Sequence, residues 1–162
     1  MFIAMLLLGA VHASIPPTPQ VCSASVRNVG IFGGYDAFLL ESGEFWFRDV
    51  HPPPEGQGLK ERHYRLWPDP ERSWVWDLGE RIKDSRFLKL TDSKRPEDPD
   101  EGSAVIVITL CGQKAFSVRQ HSSDRKPAFQ IVLDWFLIRA EAAKAGGPVY
   151  EGEVQHNWTP SR

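Results

Sequence analysis

The longest β-branched stretch of the chain predicts a sheet strand and a hairpin. Residues 103–110 are apolar at almost every position, and β-branched side chains favour a pleated strand. Because both sides of this strand are apolar, we expect it to lie inside a sheet. A two-residue turn at residues 112–113 would set the register of the hairpin. This register places Val107, Phe116 and Val118 on the helix side of the sheet and Ile106, Ile108 and Leu110 on the opposite side.

A second hairpin is predicted in residues 35–50, with its turn at Ser42 and Gly43. A two-residue turn makes one side of the ribbon wholly apolar. We expect that side, with Phe38, Leu40, Phe45 and Phe47, to face the helices, and Tyr35, Leu39 and Trp46 to share the other side. Because side chains alternate along a strand, a shift of one residue would exchange the two faces.

Two helices are predicted from apolar spacing and from the residues at their ends. Asp69 and Pro70 are typical of a helix start, and the core stripe that follows is Trp74, Val75, Leu78 and Ile82, with Trp76 on the opposite side. The second helix begins at Pro127 and ends before Gly146 and Gly147. Its core stripe is Phe129, Val132, Leu133, Phe136 and Ala140, and a further apolar edge of Ile131, Trp135 and Ile138 is expected to meet the first helix.

The order hairpin, helix, hairpin, helix predicts an α+β fold. We expect an antiparallel sheet of about four to six strands with two helices on one face. Residues 14–162 are predicted to form one domain, with an extended, proline-rich lead-in at residues 14–20 and a tail from residue 149. A length of 162 residues is typical of one domain.

Residues 1–13 are apolar and end in a small residue, a pattern typical of a secretory signal peptide. This stretch is too short to span a bilayer. In an oxidising compartment the two cysteines, Cys22 and Cys111, are expected to form a disulfide; the alternative is two separate thiols. The prediction is therefore a secreted or periplasmic protein. A formal net charge of −2, with no basic cluster, argues against nucleic acid as a partner.

The sequence contains no pattern that predicts catalysis. It has no glycine-rich phosphate loop, no Gly-x-Ser-x-Gly and no histidine pair at zinc-ligand spacing. The acidic residues 97–101 lack the spacing of a calcium loop, so we interpret them as a solvated connection. Asn157 starts a glycosylation triplet, which matters only in a eukaryotic secretory pathway. We expect no cofactor and no metal.

Aromatic residues are the one compositional excess, with 6 Trp and 9 Phe. Most are expected in the core, whereas Tyr35, Trp46, Trp76 and Trp158 are candidate binding residues. Exposed aromatic side chains often mark a contact surface for a protein or a carbohydrate. The sheet face away from the helices would be too apolar to stay bare, so the lead-in, the tail or a partner should cover it.

These observations favour a non-catalytic binding or interaction domain. Two alternatives stay open. One is a small metal-dependent hydrolase whose site combines distant residues such as His51, His63 and His121 with acidic side chains. The other is a purely structural domain of the cell envelope.

Overall fold

The structure is a computed structural model that describes residues 17–30, 33–52, 58–68, 70–94, 101–155 and 158–160. The predicted signal segment at residues 1–13, most of the acidic connection and Asn157 lie outside the described residues. Asp69, the predicted start of the first helix, also lies outside them.

Seven strands of the described chain form one antiparallel sheet, in the order β6-β5-β1-β2-β3-β4-β7. They are β1 (Val21–Gly30), β2 (Gly33–Leu39), β3 (Phe45–His51), β4 (Lys60–Leu66), β5 (Ser103–Leu110), β6 (Phe116–His121) and β7 (Tyr150–Glu153). The predicted antiparallel α+β class is confirmed. The strand number slightly exceeds the prediction, since β7 lies in the region predicted to be a tail and pairs with β4.

Two helices, α1 (Ser73–Asp84) and α2 (Pro127–Ala145), share one hydrophobic core with the sheet. The core stripe predicted for α2 is confirmed, because Phe129, Val132, Leu133, Phe136 and Ala140 are all buried. Helix α1 begins three residues later than Pro70, the predicted first helical position, after Arg72 with φ 53°. We call the sheet side that packs on the helices the helix face and the opposite side the far face.

The faces predicted for the β2–β3 hairpin are partly wrong. Leu39 pairs with Phe45 and Phe38 pairs with Trp46, a shift of one residue from the expected register. The loop is longer than a two-residue turn, since the Leu40 N–H donates to the Glu44 carbonyl, and Gly43 has φ 88°. The helix face therefore carries Tyr35, Leu39, Phe45 and Phe47, and the far face carries Phe38, Trp46 and, at the start of the loop, Leu40.

The β5–β6 hairpin shows the same error. Val118 pairs with Ile106 and Phe116 pairs with Ile108, not with Val107 and Thr109. The Gln113 N–H donates to the Leu110 carbonyl, and Gly112 has φ 75°, so the connection is again one residue longer than predicted. The buried helix-face residues are Ala104, Ile106, Ile108, Leu110 and Val118, and the far face carries Val105, Val107 and Thr109.

The extra apolar edge predicted for α2 is only partly buried. Trp135 is fully buried and contacts Phe45 of β3, whereas Ile131 and Ile138 stay exposed. An ion pair between Arg139 and Asp77 also links the two helices, with a nitrogen–oxygen distance of 3.2 Å.

The described part of the N-terminal lead-in, residues 17–20, lies on the helix side of the sheet, so this part does not cover the far face as expected. The Pro19 carbonyl approaches Gly79 of α1 so closely that a Cβ at residue 79 would lie 2.6 Å from its oxygen. This contact explains a glycine inside a helix, which otherwise costs about 1 kcal/mol relative to alanine.

The predicted disulfide between Cys22 and Cys111 is present. It joins β1, at an irregularity between Val21 and Ser23, to the loop between β5 and β6. The bond closes a loop across 89 positions of the sequence.

Candidate binding surface on the far face

A network of charged side chains is buried on the far face of β2, β3 and β4. Arg48 donates to Asp36 at 2.9 Å and to Glu61 at 2.7 Å, and both carboxylates are fully buried. Arg27 donates to the second oxygen of Asp36 at 3.0 Å. His63 lies 2.7 Å from the second oxygen of Glu61. Buried charges are tolerated when they are paired in this way.

The indole of Trp158 covers part of this network. Its ring centroid lies 4.2 Å from that of His63, 5.5 Å from that of Phe38 and 6.3 Å from that of Trp46. His63 also contacts Tyr150 of β7, with centroids 4.6 Å apart. We call Phe38, Trp46 and His63 the aromatic cage.

Two described stretches beyond β7, residues 154–155 and 158–160, form what we call the C-terminal strap. The Gln155 carbonyl accepts a hydrogen bond of 2.9 Å from Arg48, and Trp158 fills the cage. Among the described residues the strap makes no backbone hydrogen bond to the sheet. Side-chain contacts therefore hold it in place.

A stack of cation and aromatic groups extends the surface toward the end of β4. The Arg65 guanidinium lies 5.0 Å from the ring centroid of Trp46 and 3.5 Å from that of Trp67. It also forms an ion pair with Glu44. Trp67 stays 65% exposed, so this end of the stack is open to solvent.

The rest of the far face contains an open groove of about 630 Å³. Its floor consists of Ser23 and Ser25 from β1, Phe38 from β2, and Val107 and Thr109 from β5. The loop from Leu40 to Glu44 forms one rim, and Cys22 of the disulfide lies at the margin. Apolar groups and hydroxyls thus alternate across a concave surface, the composition of a small binding site.

Burial lowers the pKa of His63 below its ordinary value, because the protonated ring would lose its hydration. The hydrogen bond to Glu61 opposes that effect, and the nearby Arg48 adds to it. The folded state therefore favours the neutral ring, which contacts both Tyr150 and Trp158.

Two of the four candidate binding residues come together. Trp46 and Trp158 are in contact on the far face. Tyr35 was predicted on that face, but it packs against Phe47 on the helix face, with centroids 6.0 Å apart. Trp76 is 64% exposed on α1, beside the lead-in and on the other side of the sheet.

The charged network was missed by the sequence analysis. Its signal was the alternation of polar residues in β4, where Glu61, His63 and Arg65 share one face, and the presence of Arg48 directly after three aromatic residues of β3. Such a pattern usually indicates a solvent-exposed face. Here the strap buries it.

The histidines proposed for a metal site are far apart. His121 lies on β6, five strands from His63 on β4, a separation on the order of 24 Å. His51 is paired with Lys60, and its nearest acidic partner is Asp49 at 4.0 Å. Within the described part of the chain no group of three potential ligands could hold a metal ion.

No protein-family model matches the chain, and a search of curated proteins found no significant match. Neither described helix is long and apolar enough to cross a lipid bilayer.

Proposed function

We propose that this protein is a non-catalytic binding domain that recognises its partner through the far face of the sheet. The observation that carries the proposal is the groove. It offers about 630 Å³, within the range of roughly 300–1,000 Å³ that ligand sites occupy. The adjacent part of the same face is covered by the strap, whereas the described chain leaves the groove unfilled.

The lining indicates what kind of partner would fit. Phe38, Leu40 and Val107 provide apolar contact, and Ser25 and Thr109 provide hydroxyls. The Glu41 carboxylate at the rim forms no ion pair among the described residues. A protein segment with apolar and polar side chains matches this surface; a carbohydrate is the second partner class that the exposed aromatics allow.

The disulfide supports placing the domain in an oxidising compartment. Such bonds persist outside the reducing cytosol. We therefore propose that the protein acts after secretion or in the periplasm.

The proposal is tested by blocking the groove. Ser25→Arg places a long side chain in the groove floor, whereas Ser117→Arg, on the same face of β6 and exposed, is the matched control. A panel of small amphipathic fragments is screened against both variants and the unmodified protein by ligand-observed NMR.

We expect fragments that bind the unmodified protein and the Ser117→Arg protein, and lose binding to Ser25→Arg. Equal binding to all three proteins, or no binding at all, would contradict the proposal. Stoichiometric zinc in the purified protein would instead favour the metal-dependent hydrolase.

A further inference from the structure

We infer that the C-terminal strap occupies a recognition site for an extended segment of a protein partner, and that this segment binds by replacing the strap. The inference rests on the proposed function and specifies its partner. The segment must carry an aromatic side chain at the position of Trp158. The strap itself shows the chemistry that the site accepts.

Two contacts define that chemistry. The cage surrounds one indole, with His63 stacked 4.2 Å from it and Phe38 at 5.5 Å in an edge-on arrangement. Three residues earlier, the Gln155 carbonyl accepts a hydrogen bond from Arg48. The site therefore recognises a backbone carbonyl followed, three residues later, by an aromatic ring.

The site is preorganised by the sheet. Arg48 is held by Asp36 on one neighbouring strand and by Glu61 on the other, so it keeps its orientation when the strap leaves. The cage residues lie on β2, β3 and β4, whose backbones are paired. A rigid site of this kind binds an incoming segment with little ordering cost.

The strap is a weak occupant. Strand β7 pairs with β4 at four positions, whereas among the described residues the strap beyond it is held by side-chain contacts and by the hydrogen bond from Arg48. The indole nitrogen of Trp46 is buried without a hydrogen-bond partner among the described residues, and an unpaired buried donor costs roughly 1–3 kcal/mol. A segment that presents an acceptor to Trp46 would bind better than the strap.

The groove adds a second advantage. Phe38 contacts Trp158 and also lines the groove, so the cage and the groove are continuous. A longer partner segment can extend from the cage across Ser25 and Val107 and bury apolar surface that the strap leaves open. Burial of apolar area favours that exchange.

The experiment measures exchange of the strap in the full-length chain. The probe is a fluorescein-labelled peptide with the sequence of residues 153–162, Glu-Val-Gln-His-Asn-Trp-Thr-Pro-Ser-Arg. The control peptide has alanine in place of its tryptophan. Both are titrated by fluorescence anisotropy against the unmodified protein and against Trp158→Ala, in which the intramolecular competitor is weakened.

The tryptophan peptide should bind Trp158→Ala about tenfold or more tightly than the unmodified protein. The apparent affinity is proportional to the fraction of molecules whose site is open, and in the unmodified protein the strap keeps that fraction small. The alanine peptide should bind about tenfold more weakly than the tryptophan peptide. Equal affinities for the two proteins, or for the two peptides, would overturn the inference.

If Trp158→Ala does not fold, Trp158→Leu takes its place, since leucine keeps an apolar side chain without ring stacking. The two proposals fail separately. Fragment binding that depends on Ser25, without peptide exchange, leaves the proposed function standing and overturns only the replacement of the strap.

Discussion

Replacing Arg48 with methionine is the sharpest stability test of the buried network. The guanidinium is the main cation for Asp36 and Glu61, whose side chains are fully buried. Arg48→Met leaves Glu61 with only the neutral His63 and Asp36 with the half-exposed Arg27. Breaking a buried ion pair from one side typically costs about 3–5 kcal/mol. Since domains have roughly 5–15 kcal/mol of stability, this loss is a large part of the total.

Urea unfolding followed by circular dichroism measures the change. The matched control is Arg62→Met on β4, where Arg62 forms an exposed ion pair with Glu151 at 2.9 Å; its urea midpoint should hardly move. Adding Glu61→Gln to Arg48→Met should recover part of the loss, because one uncompensated charge is removed. A loss below about 1 kcal/mol for Arg48→Met, or equal losses for the two arginines, would refute the reasoning.

Three further predictions concern the bond, the core and the pH dependence. Reduction of Cys22–Cys111 should cost about 4–5 kcal/mol and lower Tm by roughly 10 °C or more, and labelling of the unreduced, unfolded chain should find no free thiol. Phe136→Ala should cost about 3–5 kcal/mol in urea melts, whereas the exposed Asp134→Ala should cost less than about 0.5 kcal/mol; equal losses would mean that α2 is rotated. The stability that neutral His63 provides should be complete above pH of about 6.5 and decline as the pH falls, since its folded pKa is lowered. His63→Gln should flatten that decline in pH-dependent urea melts, and an unchanged slope would contradict it.

The helices could be predicted because their signals are local. Pro127 and Gly146 mark the ends of α2, and the apolar spacing between them places Phe136 in the core. The exposure of Ile131 and Ile138 was harder to predict, because it depends on the position of α1 rather than on the sequence of α2.

The strands were predicted, but their faces depended on a single residue in each turn. Gly43 and Gly112 both have positive φ, and each closes a loop one residue longer than the two-residue turn. Since side chains alternate along a strand, this one residue moved Phe38 to the far face and Ile106 into the core. Glycine signals a turn, but it does not determine the length of the loop.

The candidate site depended on contacts that are distant in sequence. Trp46 and Trp158 were both identified as aromatics without a place in the core, but nothing local indicated that they touch. Arg48 binds the Gln155 carbonyl across 107 positions. A contact between residues so distant in sequence follows from the topology, because β7 pairs with β4 and brings the strap over the far face.

The most direct test of the far face as the binding surface is ¹⁹F NMR of the full-length protein labelled with 5-fluorotryptophan. The six tryptophans are assigned by single substitutions, and the unlabelled peptide of residues 153–162 is then added. We expect the Trp158 signal to move to a solvent-exposed position, the Trp46 signal to shift and the signal of Trp135, buried in the helix-side core, to stay unchanged. Peptide binding that leaves the Trp46 and Trp158 signals in place would contradict the account.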